Sequence, residues 1–207
     1  MKLLILGASG PTGRHLVDQA LAAGHEVTAF ARSEARLPTS APRLVTAIGD
    51  ATEARALEGA MAGHDAVLSA LGAGNSLRSE IASRAVAALV PAMRARGIKR
   101  VIYLSAFGVG ETLAQASLVQ RLAYRTLLRR IFADKAKADS MLRQSDLDWT
   151  LVYPTVLTNG VRTGKYRIGE RLAMTGMPRI SRADVASFML AQVSSAEWLR
   201  RTAVISY

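Results

Sequence analysis

The residues best suited to chemistry stand near the start of the chain, in the run Gly7-Ala8-Ser9-Gly10-Pro11-Thr12-Gly13. Glycines at this spacing permit a tight turn, a close approach of the backbone to a pyrophosphate, and close packing of a helix on a strand. A turn glycine with a helix cap at Ser9 or Thr12 would give the same pattern without a ligand. Because an apolar run precedes it and a helical pattern follows, dinucleotide binding is favoured, with contacts from Gly7, Ser9, Gly10, Pro11, Thr12 and Gly13.

The end of the second predicted strand indicates which dinucleotide is bound. Folds that prefer NAD place Asp or Glu about 20 residues after the glycines, where the carboxylate holds the ribose hydroxyls. This chain has Arg32 and Ser33 there, with Arg36 one helical turn later. Arginines on a loop are commonly only solvated, but at this position their guanidinium groups suit a 2′-phosphate. The sequence therefore predicts NADP(H) as the cofactor.

Two further segments are predicted to lie along the same ligand. Asp50 follows the third predicted strand, where its carboxylate would contact the adenine edge or, equally, cap the helix that begins near Thr52. The segment Ala70-Leu71-Gly72 follows the fourth strand, and its small residues would let the ribose and phosphates lie over the sheet. The predicted contacts from these segments are Asp50, Ala51, Ala70, Leu71 and Gly72.

These segments are positioned by an alternation of short β-rich runs and Ala/Leu-rich stretches. Strands are predicted at Lys2–Leu6, Glu26–Ala31, Arg43–Ala47, Ala66–Ala70, Arg100–Ser105 and Trp149–Tyr153. Helices are predicted at Thr12–Ala23, Thr52–Met61, Ser79–Arg96 and Ala116–Arg143, the last with a break near Ala133. Several of the strands are continuous apolar runs, which is typical of parallel strands buried on both faces.

The alternation predicts an α/β fold: one Rossmann-like domain over residues 1–207, with a doubly wound parallel sheet and flanking helices. Ligands of such sheets lie beyond the carboxyl ends of the strands. After Pro154 the pattern is weaker. It predicts a short strand at Thr163–Tyr166, a helix at Arg182–Val193 and a final strand at Ala203–Ser206.

Composition excludes several classes of protein. Half of the 207 residues are hydrophobic, which excludes a disordered chain, and zero cysteines exclude disulfides, iron–sulfur clusters and thiolate zinc sites. The three histidines do not pair at metal-ligand spacing, so no metal site is predicted. The apolar run before Gly7 is too short for a signal peptide, and no run approaches the roughly 20 residues of a membrane span. We expect a soluble, cytoplasmic protein.

The formal net charge of +11 is concentrated in the stretch Arg94–Arg143, where 11 residues are basic and 3 are acidic. Basic residues recur there at helical spacing, at Arg121, Arg125, Arg129 and Arg130. Three interpretations are open: a solvated helix face, an electrostatic funnel for anionic cofactor and substrate, and nucleic-acid binding. The last is disfavoured because, beyond Tyr124, no aromatic residues are interleaved with the arginines.

With these residues in view, the chain resembles an atypical member of the short-chain dehydrogenase/reductase superfamily. It is similar to the NAD(P)H-binding group that contains NmrA-like proteins and the biliverdin-IXβ and flavin reductases. The segments that carry the resemblance span nearly the whole chain: Gly7–Gly13, Arg32, Gly49-Asp50, Lys99–Phe107, Ser145–Thr150 and Ile180–Val185. The resemblance implies a Rossmann-like fold and an NADP(H) cofactor. It implies no particular substrate, because one scaffold carries many chemistries.

The better-known branch of that superfamily transfers a proton through Tyr-x-x-x-Lys, whose lysine lowers the tyrosine pKa. None of the five tyrosines of this chain has a lysine four residues later. In the similar reductases a serine at the end of the fifth strand lies beside the nicotinamide; the matching residue is Ser105, which could equally be a serine that bonds backbone at a strand end. Those reductases also carry a histidine after the proline that ends the sixth strand, and this chain has none there. Tyr153, Pro154 and Thr155 are expected to line the nicotinamide pocket.

Two functions are compatible with these features. The first is an NADPH-dependent oxidoreductase that delivers hydride to a conjugated small molecule such as a flavin or a quinone, which can be anionic. Such a transfer needs no protein nucleophile and no strong acid. The alternative is a non-catalytic, NmrA-like redox sensor that binds NADP(H) and changes its protein partners. The shortness of the chain favours the enzyme, and the sequence leaves the acceptor and the oligomeric state open.

Overall fold

An eight-stranded sheet organises the structure, a computed structural model that describes residues 1–34, 37, 41–72, 80–115, 126, 128–174 and 176–207. Its strands are β1 (Lys2–Leu6), β2 (Glu26–Ala31), β3 (Leu44–Ile48), β4 (Ala66–Ser69), β5 (Arg100–Leu104), β6 (Asp148–Pro154), β8 (Arg167–Gly169) and β10 (Arg201–Ser206). Two short strands, β7 (Val156–Thr158) and β9 (Arg179–Ser181), pair with each other. The helices are α1 (Pro11–Ala22), α2 (Ala54–Ala60), α3 (Ile81–Ala95), α4 (Arg129–Gln144) and α5 (Arg182–Ala191), with a 3-10 helix at Gly110–Gln115.

The order of strands in the large sheet is β3-β2-β1-β4-β5-β6-β10-β8. Neighbouring strands are parallel, apart from β10 and β8, which run antiparallel at one edge. The order reverses between β1 and β4, so the connections that leave these strands diverge and form a crevice at the carboxyl edge of the sheet. The predicted α/β fold with a doubly wound parallel sheet is confirmed.

Helices cover both faces of this sheet. α1 packs against α5 on one face, and α3 packs against α2 and α4 on the other. In β1, Leu3 and Ile5 belong to the apolar cluster under α1 and α5, whereas Leu4 and Leu6 belong to the cluster under the other three helices. Because successive side chains of a strand point to opposite faces, only a continuous apolar run can serve both clusters.

The predicted bounds of β1 and β2 are those of the structure, and the other predicted strands up to β6 agree within one residue at each end. The bounds predicted for α1, α2, α3, α5 and β10 agree within two residues. The sequence pattern does not predict β7, β8, β9 or the 3-10 helix. These elements have three to six residues, too few to show a periodic pattern.

The predicted break near Ala133 is wrong. α4 runs unbroken from Arg129 to Gln144, because this stretch contains neither proline nor glycine. Of the basic residues predicted to share a helix face, Arg129 and Arg130 are exposed in the first turn of α4. Arg121 and Arg125 lie outside the described residues, as does the first part of the predicted helix.

The strand predicted at Thr163–Tyr166 is also wrong, since β8 begins only at Arg167. The backbone N–H groups of Thr163 and Gly164 donate to the carboxylate of Asp184, at 2.9 and 2.8 Å, instead of to a neighbouring strand. Three hydroxyl groups, those of Thr163, Ser181 and Tyr207, donate to the same carboxylate. Asp184 lies fully buried in the first turn of α5, so it fixes the connection before β8 to this helix.

The pKa of Asp184 shows how strongly these donors act. Burial alone would raise it, but the hydrogen bonds from Tyr207, Gly164 and Thr163 outweigh burial, and the pKa is lowered. A carboxylate whose folded-state pKa lies below that of the unfolded chain, about 3.9, stabilises the fold at neutral pH. This contribution is complete above the unfolded-state pKa and is lost as the pH falls through the folded-state pKa.

We predict that Asp184→Asn lowers the free energy of unfolding by about 2–3 kcal/mol at pH 7, because an amide replaces a fully buried, charged acceptor of several hydrogen bonds. The difference between wild type and variant should begin to shrink below about pH 4, where the carboxylate of the unfolded chain takes up a proton, and should be lost as the pH falls through the lower folded-state pKa. Urea unfolding of the wild type and the variant, at pH 7 and below about pH 4, measures this difference. Asp18→Asn, at an exposed position in α1, should change stability by less than about 0.5 kcal/mol. An Asp184→Asn deficit that is equal at both pH values would contradict this account.

Candidate functional site

The turn after β1 is so closely packed that it excludes side chains at two positions. Gly7 has a φ of +73°, and a Cβ there would lie 2.9 Å from the backbone of Ala70. A Cβ at Gly13 would lie 2.0 Å from the carbonyl oxygen of Gly7. Gly10 differs, since its extended backbone suits any residue and a Cβ would meet only the Gly7 oxygen, at 3.1 Å. The fold therefore requires Gly7 and Gly13, whereas Gly10 leaves space at the crevice.

The first turn of α1 opens into this crevice without a side-chain cap. Gly10 is the N-cap residue and Pro11 is the first helical residue, and within the described residues no side-chain cap bond is made at this end of the helix. The alternative in which Ser9 or Thr12 caps the helix is therefore not realised. The first turn also has no acidic residue. It presents uncapped N–H groups and the positive end of the helix dipole, which together suit an anion.

At the end of β2, Arg32 and Ser33 are exposed at the same edge of the sheet. Asp50 follows β3, which pairs with β2, and its carboxylate accepts hydrogen bonds from the backbone N–H and the hydroxyl of Thr52, at 2.8 and 2.9 Å. These bonds, and to a smaller extent the charges of Arg84 and Arg32, lower the pKa of Asp50. The guanidinium of Arg32 thus lies within electrostatic reach of a carboxylate that stays ionised at neutral pH.

Asp50 does not cap α2, because that helix begins at Ala54 with Glu53 as its N-cap; it holds the turn before the helix instead. Ala51, next to it, is buried. Arg36, the second arginine predicted to contact the 2′-phosphate, lies outside the described residues.

The connection after β4 lies against the glycine turn. The N–H of Ala70 donates to the carbonyl of Leu6 at 2.9 Å. Ala70 and Leu71 are partly exposed, and Gly72 is exposed, with no atom of the described residues within 4 Å of a Cβ placed on it. The structure therefore brings the predicted contacts after β1 and β4 to the two sides of one crevice.

Ser105 follows β5, the strand next to β4, and is only 4% exposed. Its hydroxyl donates to Asp139 Oδ2 at 2.8 Å, so it does not bond backbone as the alternative interpretation of this serine requires. The hydroxyl of Tyr153, in β6, donates to the same oxygen at 2.6 Å. Arg143 in turn donates to the Tyr153 oxygen at 3.2 Å. Ser105 and Tyr153 are therefore joined through one buried carboxyl group.

Asp139 is the residue of this site that the sequence prediction missed. It lies in α4 and is fully buried. In the sequence it stands in a mainly basic stretch, where the pattern of arginines, and not a single acidic residue, is the feature that was interpreted. Its neighbours one helical turn away on either side are Lys135 and Arg143. Charged residues at i, i+4 and i+8 share one face of a helix, and this spacing is the signal that could have indicated a polar site beneath the sheet edge.

Burial dominates the electrostatics of this group. It raises the pKa of Asp139, against the opposing hydrogen bonds from Tyr153 and Ser105 and the charges of Lys135 and Arg143. Burial likewise raises the pKa of Tyr153 and of Tyr103, a fully buried residue of β5, and Asp139 adds to both shifts. Desolvation lowers the pKa of Lys135. Every one of these groups is shifted toward its neutral form.

The segment after Tyr153 is bound to β10. Thr155 is buried, and its hydroxyl donates to the Ser206 hydroxyl at 3.1 Å. Pro154 ends β6 at the carboxyl edge, where its carbonyl accepts from the N–H of Phe107 at 3.0 Å. Of the three predicted pocket residues, Tyr153 is the one joined to Ser105.

A separate cavity of about 580 Å³ lies at the far edge of the sheet, around β8 and the end of β10, lined by Thr163, Lys165, Tyr166, Arg167 and Tyr207. β10 lies four strands from β1, or about 19 Å at the usual strand spacing. This cavity is therefore not the crevice of the glycine turn.

Among the described residues, no group of three or more His, Asp or Glu side chains could hold a metal ion. In the same part of the chain, no helix combines the length and the apolar character needed to cross a membrane.

Comparisons with known proteins agree with this geometry. A family model described as NAD(P)H-binding matches residues 7–196. A 3-beta-hydroxysteroid dehydrogenase of Mycolicibacterium neoaurum is 32% identical over 120 residues, which are 52% of this chain. The chain spans only 32% of the length of that enzyme and 61% of the length of a second curated relative, from Arabidopsis thaliana.

Solved structures show the same fold. A short-chain dehydrogenase/reductase from Veillonella parvula, crystallised with NADP, superposes with a TM-score of 0.84 at 21% identity, covering 100% of this chain and 94% of that one. ChuY, an anaerobilin reductase from Escherichia coli O157:H7, superposes with a TM-score of 0.83 at 23% identity, covering 99% and 96%.

We predict that Gly13→Ala destabilises the protein, although alanine normally favours a helix by about 1 kcal/mol over glycine. The added Cβ would overlap the Gly7 carbonyl oxygen, and the loss should be about 3 kcal/mol, as for an overpacked core. Gly10→Ala is the matched control: it adds the same methyl group where the backbone is extended and the Gly7 oxygen lies 3.1 Å away instead of 2.0 Å, and it should change stability by less than about 1 kcal/mol. Urea unfolding of both variants measures the difference in stability. Equal stabilities would show that the backbone of the turn shifts to accommodate a Cβ at position 13.

Proposed function

The chain belongs to the NAD(P)H-binding family, and we propose that it is an NADPH-dependent reductase that delivers hydride to a conjugated acceptor such as a flavin, a quinone or a linear tetrapyrrole. The observation that carries the proposal is the position of Ser105. Its hydroxyl stands one strand from the crevice of the glycine turn and is held by a buried carboxyl group. A polar group fixed in this way, at the carboxyl edge of a dinucleotide-binding sheet, suits a reacting centre.

The residues around the crevice fit a dinucleotide. The uncapped first turn of α1 would hold the pyrophosphate through its N–H groups, beside Gly10, where a side chain would intrude. The partly exposed Ala70 and Leu71 and the exposed Gly72 would lie along the ribose and phosphates. When bound, the reduced nicotinamide supplies a hydride, and the residues of the chain bind it, orient it and keep water from it.

The preference for NADPH over NADH rests on Arg32. It is exposed at the end of β2, where folds that bind NAD place a carboxylate. A guanidinium group makes charge-assisted hydrogen bonds to a phosphate and leaves the ribose hydroxyls of NADH without an acceptor. The structural relative from Veillonella parvula was crystallised with NADP, which supports this choice.

A conjugated acceptor suits a site without the Tyr-x-x-x-Lys motif. Hydride can enter a conjugated ring system directly, and the charge it brings is spread over several atoms. Tyr153 is no substitute for the missing tyrosine, because burial and the Asp139 carboxyl group raise its pKa. The anaerobilin reductase among the structural relatives supports an acceptor of this class.

Consumption of NADPH with a panel of flavins, quinones and tetrapyrroles tests the proposal. Steady turnover with at least one acceptor is the expected result. Tight binding of NADPH without turnover would instead favour a redox sensor of the NmrA-like kind. A protein that binds neither NADPH nor NADH would overturn the assignment of the crevice itself.

We predict that Arg32→Glu weakens NADPH binding at least tenfold, since a charge-assisted hydrogen bond is worth about 1.5–3 kcal/mol. NADH binding should change less than about twofold, because NADH lacks the 2′-phosphate. Fluorescence titration with both dinucleotides measures the two affinities. Arg94→Glu makes the same change of charge at the opposite edge of the sheet, next to Asp146, and controls for the overall field. Equal losses for NADPH and NADH in Arg32→Glu would remove Arg32 from the phosphate site.

We predict that Ser105→Ala lowers turnover by about 100-fold, the usual contribution of a positioned proton donor. The affinity for NADPH should change less than about threefold, because the pyrophosphate contacts lie at the glycine turn. Steady-state rates and fluorescence titration on the same preparation separate the two effects. An unchanged rate would make Ser105 a structural residue.

A further inference from the structure

A proton must accompany the hydride in the proposed reduction, and the structure contains a buried group placed to provide it. Ser105 Oγ and the Tyr153 hydroxyl both lie on Asp139 Oδ2, at 2.8 and 2.6 Å. Tyr153 is 1% exposed and Asp139 is fully buried, so of these three Ser105 is the group that lies next to the crevice. In the proposed reaction, a proton passes between Asp139 and the crevice through Ser105.

The environment of Asp139 favours a carboxyl group that keeps its proton. Within the described part of the chain, Asp139 Oδ1 is buried and has no hydrogen-bond partner, and the same holds for the Tyr103 hydroxyl. A buried carboxylate oxygen without a donor costs several kcal/mol, whereas a neutral carboxyl costs much less. The charged groups that act on it are Lys135 and Arg143 from α4, and they do not offset its burial.

We propose that Asp139 is the positioning residue that stores the proton of the reaction and returns it to Ser105. This inference rests on the proposed reductase function. The acceptor takes two electrons with the hydride, and a heteroatom of its conjugated system takes the proton of Ser105 Oγ. In the protonated form, the Asp139 Oδ2–H group donates to Ser105 Oγ, which leaves the Ser105 hydrogen for the acceptor. The Ser105 O–H bond forms again as this Oδ2–H bond breaks. The resulting carboxylate is held by the Tyr153 hydroxyl and by the charges of Lys135 and Arg143 until solvent returns a proton.

Tyr153 has a different part in this arrangement. Its hydroxyl bonds both Asp139 Oδ2 and a guanidinium nitrogen of Arg143, at 2.6 and 3.2 Å. It therefore transmits the Arg143 charge to the carboxyl group and stabilises the form that remains after proton release. Because its own pKa is raised, it holds its proton throughout.

The test compares wild type with Asp139→Asn, an isosteric change that keeps one acceptor oxygen for the two hydroxyl groups. The turnover of the wild-type protein should fall as pH rises through the Asp139 pKa, because only the protonated form supplies a proton. In Asp139→Asn the turnover should be about 100-fold lower at pH 6 and should no longer vary with pH. Asp139→Glu, which restores an acid, should recover part of the rate and a pH-dependent limb.

A second measurement does not depend on activity. The infrared band of a protonated buried carboxyl group should be present in the unliganded wild-type protein, absent in Asp139→Asn, and titrate with the midpoint of the rate. Asp134→Asn is the matched control on the same helix, because its carboxylate accepts from the N–H groups of Ala82 and Ser83, in the first turn of α3. That variant should lose stability and keep both the band and the pH profile.

The outcomes are distinct. A pH limb that persists in Asp139→Asn, or the absence of the carboxyl band wherever the enzyme is active, would overturn the proposal and leave the reductase function intact. Inactivity of the wild-type protein toward every acceptor would overturn the reductase function and the proton transfer with it, while the infrared titration would still report whether Asp139 is protonated. Thermal melting of each variant separates misfolding from chemistry.

Discussion

The contact between the start of α1 and the turn after β1 is the constraint on which the rest of the site depends. A Cβ at Gly13 would lie 2.0 Å from the Gly7 carbonyl oxygen, so the helix approaches the turn as closely as backbone alone allows. This approach sets the first turn of α1 beside the connection after β4, whose Ala70 N–H bonds Leu6. The features of this edge that suit an anion, the uncapped N–H groups of the first turn of α1, are features of the backbone.

The parts of the fold and of the candidate site that could be predicted from the sequence are those that depend on a few consecutive residues. Glycine spacing, buried strands such as Lys2–Leu6, and Arg32 at the end of β2 are local patterns, each set by a few consecutive residues. The spacing of charges around Asp139 could indicate a polar helix face, but its hydrogen-bond partners lie 34 and 14 residues away in the chain, in β5 and β6, and a local pattern does not identify them. The three-residue strands β7, β8 and β9 are likewise set by tertiary contacts.

The wrong prediction of a strand at Thr163–Tyr166 and the failure to predict Asp139 have the same physical cause. In both places a buried carboxyl group accepts hydrogen bonds from segments that are distant in the sequence, and these bonds hold the segments together. Local preference predicted an extended strand for the first segment, but two backbone N–H groups bonded to Asp184 outweigh it. A charged acceptor in the core thus acts over a longer stretch of chain than an intrinsic propensity does.

Asp184 and Asp139 show how the number and kind of donors decide the role of a buried acid. Asp184 receives two backbone N–H bonds and several hydroxyl bonds, which outweigh burial, so its pKa is lowered and its charge is permanent at neutral pH. Asp139 receives two hydroxyl bonds on one oxygen, which do not outweigh burial, so its pKa is raised. Backbone donors cannot give up their protons or turn away, whereas hydroxyl groups can accept as well as donate. An acid bound only by hydroxyl groups can therefore exchange a proton with them, and this is the arrangement that the structure places next to the crevice.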